Sequence, residues 1–435
     1  MKKIIVLIVT TLMVVALTLP ASAFESEVGL YWRTRFYTQQ NFNGEGNGGN
    51  TTTEANGTVV TEGNQDTAQV DTRTRLFYTA HFTESFAFYS AFEMDANWGD
   101  NRENSYGDIA TDGVAVEIKH LFANFDLADL NWKIGAQHKT QSRGLLFDDD
   151  FAGLIARYVG DTMVIPFIWI KAYEGGPGGG GPGTQRWKGD VDYYMLDPTF
   201  QLTPEGNISL NPFVVYIYSK DAEGWDYTAQ NSDVKVFFVG VNADLEFDWA
   251  TLWFTGIYEV GKVQSTIGNL DVSAGLAAAG ASTKVGEVEL HGQAFYATGD
   301  DDQTDGDSNN FYVPKGQSYY WSEIMGLGMF DNQASAGSPA DQISNIIAGN
   351  LGATMQPMDK LTMSLDVWYA KHAESDTNGK RVLGTEVDLR ATYKLLEKLD
   401  LDLVGAYLFA GDATSLNGDN KENPYEIGAQ VSFKF

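Results

Sequence analysis

The chain has 435 residues, no cysteine, and 58 acidic against 29 basic side chains, a formal charge of −29. Such an acidic balance excludes a nucleic-acid partner, which needs a basic face to neutralise phosphates. The absence of cysteine excludes disulfides, thiolate metal sites, covalently attached haem and an amino-terminal lipid.

The first residues, MKKIIVLIVTTLMVVALTLPASA, carry Lys2 and Lys3, an apolar run from Ile4 to Leu19, and the small-residue pattern Ala21-Ser22-Ala23. This is a secretory signal peptide over 1–23, with the exported chain starting at Phe24; an uncleaved anchor is the alternative. Beyond it no run of about 18 apolar residues exists, so any membrane crossing must use strands. No linker divides 24–435, which predicts one domain.

The strand signal, alternation with period two, starts at once. Over 27–39 one parity reads Val28, Leu30, Trp32, Thr34, Phe36, and the other Tyr31, Arg33, Arg35, Tyr37, Gln39. A water-soluble sandwich would alternate too, so other features must decide.

The alternating segments run for about ten to thirteen residues, the length a tilted strand needs to cross a membrane. Short turns are predicted near 83–85, 127–129, 159–161, 203–207, 246–249, 283–286, 357–360 and 395–398. Between them fall longer polar loops near 41–69, 99–113, 140–151, 174–189, 221–232, 262–269, 299–342, 373–383 and 410–424. Short turns on one side and long loops on the other are the plan of bacterial transmembrane barrels. The fold class is therefore all-β: an antiparallel up-and-down β-barrel of about eighteen strands, with sixteen as the alternative, in the outer membrane of a Gram-negative bacterium. The strand signal is faintest at 152–158, which is short, and at 162–173 and 208–220, where Pro166 and Pro212 each remove a ladder donor.

The last segment, 425–435, places Tyr425, Ile427, Ala429, Val431, Phe433 and the terminal Phe435 on one parity. Ending in mid-strand on an aromatic residue matches the closing strand of an outer-membrane barrel. Trp132, Phe237, Tyr369, Tyr407 and Phe433 lie on apolar parities, as members of the aromatic girdles would.

The stretches VDTRTRLFYTAHFTESFAFYSAFEMDANWGD (70–100), KIGAQHKTQSRGLLFDDDFAGL (133–154), FYATGDDDQTDGDSNNF (295–311) and LGTEVDLRATYKL (383–395) together resemble the alginate-export family of outer-membrane barrels and its porin relatives. The resemblance implies a monomeric eighteen-stranded barrel with an arginine-lined conduit for an anionic polysaccharide or another anionic solute.

If the apolar parity faces lipid, the other lines the lumen. Arg33 and Arg35 then neighbour Arg73 and Arg75, followed by Glu93 and Asp95, while Lys434 closes on the far side of the first strand. The sixteenth strand offers Glu386, Asp388, Arg390 and Lys394. This is a basic arc flanked by carboxylates, suited to setting ion preference in a narrow pore; a salt-bridge ladder that only holds the wall is the alternative. Lys133, Lys139, Arg157 and Lys171 extend the arc if their registers hold, since a slip of one residue turns each outward.

Asp300, Asp301, Asp302, Asp305 and Asp307 form an acidic stretch that could bind calcium, although its spacing is not that of the twelve-residue calcium loop. FDDDF (147–151) reads either as an inward constriction or as polar loop. His81, His120, His138, His291 and His372 show no ligand spacing. No hydrolase motif is present, so the expectation is a channel and not an enzyme, with no cofactor. It should allow passive diffusion of small anionic solutes or an acidic polysaccharide, and its partners should be the solute and outer-membrane lipid and lipopolysaccharide. The alternative is a barrel that sheathes or anchors a partner such as a multihaem cytochrome.

Overall fold

The structure, a computed structural model, describes residues 25–42, 50–53, 59–62, 66–100, 109, 114–174, 189–222, 232–265, 268–302, 306–376, 379–415 and 422–435. The export segment with its Phe24 boundary, the Gly/Pro-rich stretch 175–183 and Asp305 lie outside the described residues.

Among these residues eighteen strands build one antiparallel wall. They are β1 (Glu25–Gln40), β2 (Thr67–Thr83), β3 (Phe86–Asn97), β4 (Glu117–Leu127), β5 (Leu130–Gln141), β6 (Phe147–Val159), β7 (Met163–Tyr173), β8 (Val191–Leu196, continued as Thr199–Gln201), β9 (Ile208–Ala222), β10 (Ser232–Glu246), β11 (Thr251–Ser265) and β12 (Gly268–Val285). The rest are β13 (Val288–Ala297), β14 (Ile346–Met358), β15 (Leu361–His372), β16 (Val382–Leu396), β17 (Leu399–Ala410) and β18 (Tyr425–Lys434). Each pairs with its sequence neighbours, and β18 returns to β1 with Tyr31 opposite Lys434 and Gln40 opposite Tyr425. The terminal residue takes part: Phe435 and Leu30 exchange both backbone hydrogen bonds, at 3.0 and 3.2 Å. Closure leaves no open edge, which is what lets strands cross hydrocarbon where an unpaired backbone group would cost several kcal/mol.

The parity read from β1 is the one observed. Val28 and Phe36 are 57% and 43% exposed on the outer wall, whereas Arg35, Tyr37 and Gln39 point inward and are buried. Phe237, Tyr369 and Tyr407 likewise project outward. The short turns fall where expected. Between β4 and β5 the two turn residues Ala128 and Asp129 both take positive φ, 54° and 61°, the left-handed pair whose twist matches a two-residue hairpin. Pro166 and Pro212 sit inside full-length strands, opposite Arg157 and Val241.

Three local expectations are corrected. The 140–151 loop shrinks to a tight turn at 142–146, because β5 and β6 pair from Gln141↔Phe147 onward. FDDDF is therefore strand: Phe147 and Phe151 share the inward parity and are buried, so their packing outweighs the poor strand propensity of three aspartates. Its Asp148 and Asp150 take the outward parity, where they meet Thr140, His120 and His138. Finally, Lys171 shares the parity of the exposed Phe167 and Trp169, facing Asp190 and Asp192 instead of the lumen.

The largest correction concerns 299–342. Most of the described stretch 306–345, between β13 and β14, folds into the barrel. Phe311, Ile324, Met325 and Ile343 are fully enclosed, packed in one cluster with inward side chains of the wall such as Ile168, Ile217, Val236, Phe238 and Phe295, and the equally enclosed Phe330 packs separately on Tyr37 and Val404. Trp321 lies edge-on to both Phe295 and Trp368, with centroids 5.3 and 5.2 Å apart.

Candidate functional site

The inward loop divides the lumen into small cavities, and the residues that line them come from two opposite chemistries. On the β1–β3 wall, register puts Arg33 directly opposite Arg73, Arg35 opposite Asp71, and Arg73 and Arg75 opposite Asp95 and Glu93. Arg35 grips Asp71 with Nε and Nη2 at 2.8–3.1 Å and gives Nη1 to the Met329 carbonyl, 2.9 Å, and to Asp331 of the loop. Arg73 pairs with Asp95 at 2.5 Å and with Glu93 at 3.6 Å, and Arg75 pairs with Glu93.

Arg33 is the exception. Its closest carboxylate is Asp331 at 3.7 Å, and its buried Nε–H has no hydrogen-bond partner among the described residues. It lines two cavities. One, about 230 Å³, is bounded by Arg33, Arg35, Arg73, Asp71, Asp95 and Asp331. The other, about 240 Å³, lies nearer the chain termini and is bounded by Tyr31, Arg33, Arg73, Arg75, Phe77 and Lys434. The second cavity has four cations and no carboxylate in its lining.

Across the lumen, a cavity of about 470 Å³ is lined by His291, Gln293, Asn350, Asp366, Asp388 and Arg390 of the wall and by Tyr320, Trp321 and Glu323 of the loop. Asp366 accepts from His291 and Asn350, and Arg390 is taken up by Asp402 at 2.9 Å. Glu386, expected on the pore wall, is fully enclosed beneath the loop. It accepts the Ile324 and Met325 amides at 2.6 and 2.9 Å and the Ser322 hydroxyl at 3.2 Å. Asp388 is 8% exposed and accepts the Glu323 amide at 3.4 Å. These two acids anchor the loop rather than face an open path.

Burial first, and then the Glu386 carboxylate, hold the Glu323 carboxyl above its usual range against the opposing Met329 amide. A raised value in the seated state means that seating is favoured at low pH and weakens as pH rises through it. Replacing Glu386 by Ala leaves two buried amides without acceptors, at about 1–3 kcal/mol each. The expected result is an unseated, noisy loop whose exposed Lys315 is cut much faster by trypsin; wild-type cleavage kinetics would contradict that anchoring role.

Of the other sequence-derived residues, Lys133 faces in over the Phe122 ring, Arg157 binds Asn131, and Lys139 pairs with Asp197. In the acidic stretch, of which Asp305 lies outside the described residues, Asp300 accepts the Asp302 amide and Asp307 sits in a short strand beside Asp271; among the described residues there is no cluster of three or more potential metal ligands. Sequence reasoning missed Asp71 and Asp331. Asp71 was legible, since it shares the inward parity of Arg73 and Arg75; Asp331, remote in sequence from any basic residue, left no signal.

No family model matches the chain, and no curated protein matches it. Solved structures do. OpdK from Pseudomonas aeruginosa, in a crystal structure with vanillate, superposes with a TM-score of 0.59 at 12% identity, over 94% of this chain and 98% of that one. Pseudomonas aeruginosa OccK3 (OpdO) gives 0.57 at 11% over 94% and 96%, and OpdQ from the same organism 0.57 at 12% over 94% and 99%. At such identities the likeness shows the fold: a closed antiparallel eighteen-strand barrel.

Proposed function

We propose that this chain is an outer-membrane channel through which small solutes bearing a carboxylate or comparable anionic group diffuse passively. The observation that carries the reading is Arg33, an under-partnered guanidinium shared by two cavities on a basic arc with Arg73, Arg75 and Lys434. A guanidinium fork matches a carboxylate geometrically, and a half-satisfied one holds an anion without trapping it, which conduction requires. On this reading a 1–23 signal directs export, and a single barrel with an apolar outer wall sits in the outer membrane in contact with lipid and lipopolysaccharide.

The porin OpdK, whose structure holds vanillate, an aromatic carboxylate, shares this fold and supports a small-solute reading. Cavities of about 230 to 470 Å³ suit such solutes better than an acidic polysaccharide, which would require the loop to leave. A sheath around a multihaem cytochrome would need an empty lumen, whereas most of 306–345 packs inside it.

The test is reversal potential in a planar bilayer under a salt gradient, for wild type and Arg33→Ala. Anion preference that largely disappears in the variant is the expected result. A selectivity indifferent to Arg33 would reject the assignment.

A further inference from the structure

Building on the anion-channel reading, we infer that Asp331 is a tethered competitor for the permeating anion, a loop carboxylate that occupies the arginine pair and must exchange with the solute's own. The carboxylate sits where an incoming one would bind, against Arg35 Nη1 and 3.7 Å from Arg33 Nη2, and it forms part of the wall of the 230 Å³ cavity. Two carboxylates serve Arg35, and they differ in kind. Asp71 is a wall residue, 9% exposed at its side chain and held by two nitrogens; Asp331 is 26% exposed and takes the third. When Asp331 leaves with the tip, Arg35 keeps the bidentate Asp71 of the wall, so its buried charge stays compensated.

The tip is also built to move as a unit. Leu327, Gly328 and Asp331 all take positive φ, 69°, 48° and 37°, a conformation that costs non-glycine residues free energy unless contacts hold it. Those contacts are Asp331 N to Leu327 O at 2.9 Å and Met329 N to Glu323 Oε2 at 2.7 Å within the loop, and, to β1, Arg35 Nη1 to Met329 O at 2.9 Å, Asn332 to Gln39 at 3.3 Å and Phe330 stacked on Tyr37 at 4.6 Å. Phe330 fits there because the facing residue is Gly428, where any Cβ would come within 2.3 Å of the ring. A carboxylate on a short tether acts at an effective concentration on the order of millimolar, so solute dwell at the arginines is kept brief while passage stays selective.

The test is Asp331→Asn, which keeps shape and removes charge, recorded as single channels with benzoate as the probe. Benzoate interruptions of the current should lengthen roughly three- to tenfold and anion preference should rise, the range expected for losing one partly exposed charged competitor. On the wild-type protein, benzoate should speed hydrogen exchange of the 327–332 amides as the tip is released. Arg33-dependent interruptions in wild type that Asp331→Asn leaves unchanged, or tip exchange unaffected by benzoate, would overturn the role of Asp331 alone. Absence of both interruptions and anion preference in wild type would overturn the channel reading and this role with it.

Discussion

Replacing residues 310–342 with a short Gly/Ser linker is expected to raise single-channel conductance several-fold. The wall does not need the loop for its hydrogen bonds, since every strand pairs with its neighbours and β1 closes on β18. An eighteen-strand wall by itself encloses an aqueous channel. What the loop supplies is obstruction: Trp321 against Phe295 and Trp368, Phe330 against Tyr37, and its backbone amides on Glu386 and Glu259. Deletion also bares the inward apolar patch of Ile168, Ile217, Val236 and Phe238, so the enlarged channel should be noisy, because an apolar lining wets reluctantly. Conductance within the wild-type range would mean that the loop is not the constriction. The readout is planar-bilayer recording of refolded protein.

Arg35→Ala should be the most damaging single substitution on the basic arc. It removes the bidentate partner of Asp71, a residue 6% exposed, and releases Asp331 and the Met329 carbonyl together. Breaking a buried pair from one side costs about 3–5 kcal/mol because the remaining charge is stranded; Asp331, being a quarter exposed, adds little to that figure. Urea unfolding in detergent should show the loss. Asp71→Asn in the same chain should recover part of it, since the stranded charge is then gone, and the two changes should be strongly non-additive. Equal losses in the single and double variants would place the cost in side-chain packing instead. Arg33→Ala, which strands no fully buried carboxylate, should by contrast leave stability nearly intact while altering selectivity.

How much of this could be read in advance follows from where each signal resides. Alternation in β1, the two-residue turn at 128–129 and the aromatic strand ending at Phe435 are local patterns, and each appears in the structure as local chemistry requires. The inward loop is not local, yet it did leave a trace. Along β9 and β10 both parities are apolar, Phe213-Val214-Val215 and Val236-Phe237-Phe238-Val239. A lumen-facing parity made of Phe213, Val215, Val236 and Phe238 makes sense only if something dry covers it from inside.

Composition, strand period, strand length and the alternation of short and long connections determined by themselves an antiparallel barrel of about eighteen strands, and parity within β1 and β2 determined that Arg33, Arg35, Arg73 and Arg75 face inward. These are consequences of a pleat that repeats every two residues, so neighbouring side chains carry the information. Tertiary structure alone decided that Glu386 would serve as a loop anchor, that Asp331 would reach Arg33 and Arg35 from almost three hundred positions away, and that Lys171 would point outward. The reason is that the partners a seated loop finds depend on total packing inside a closed wall, and register in a strand paired to an interrupted neighbour depends on that neighbour; a window of ten residues contains neither the partner nor the neighbour.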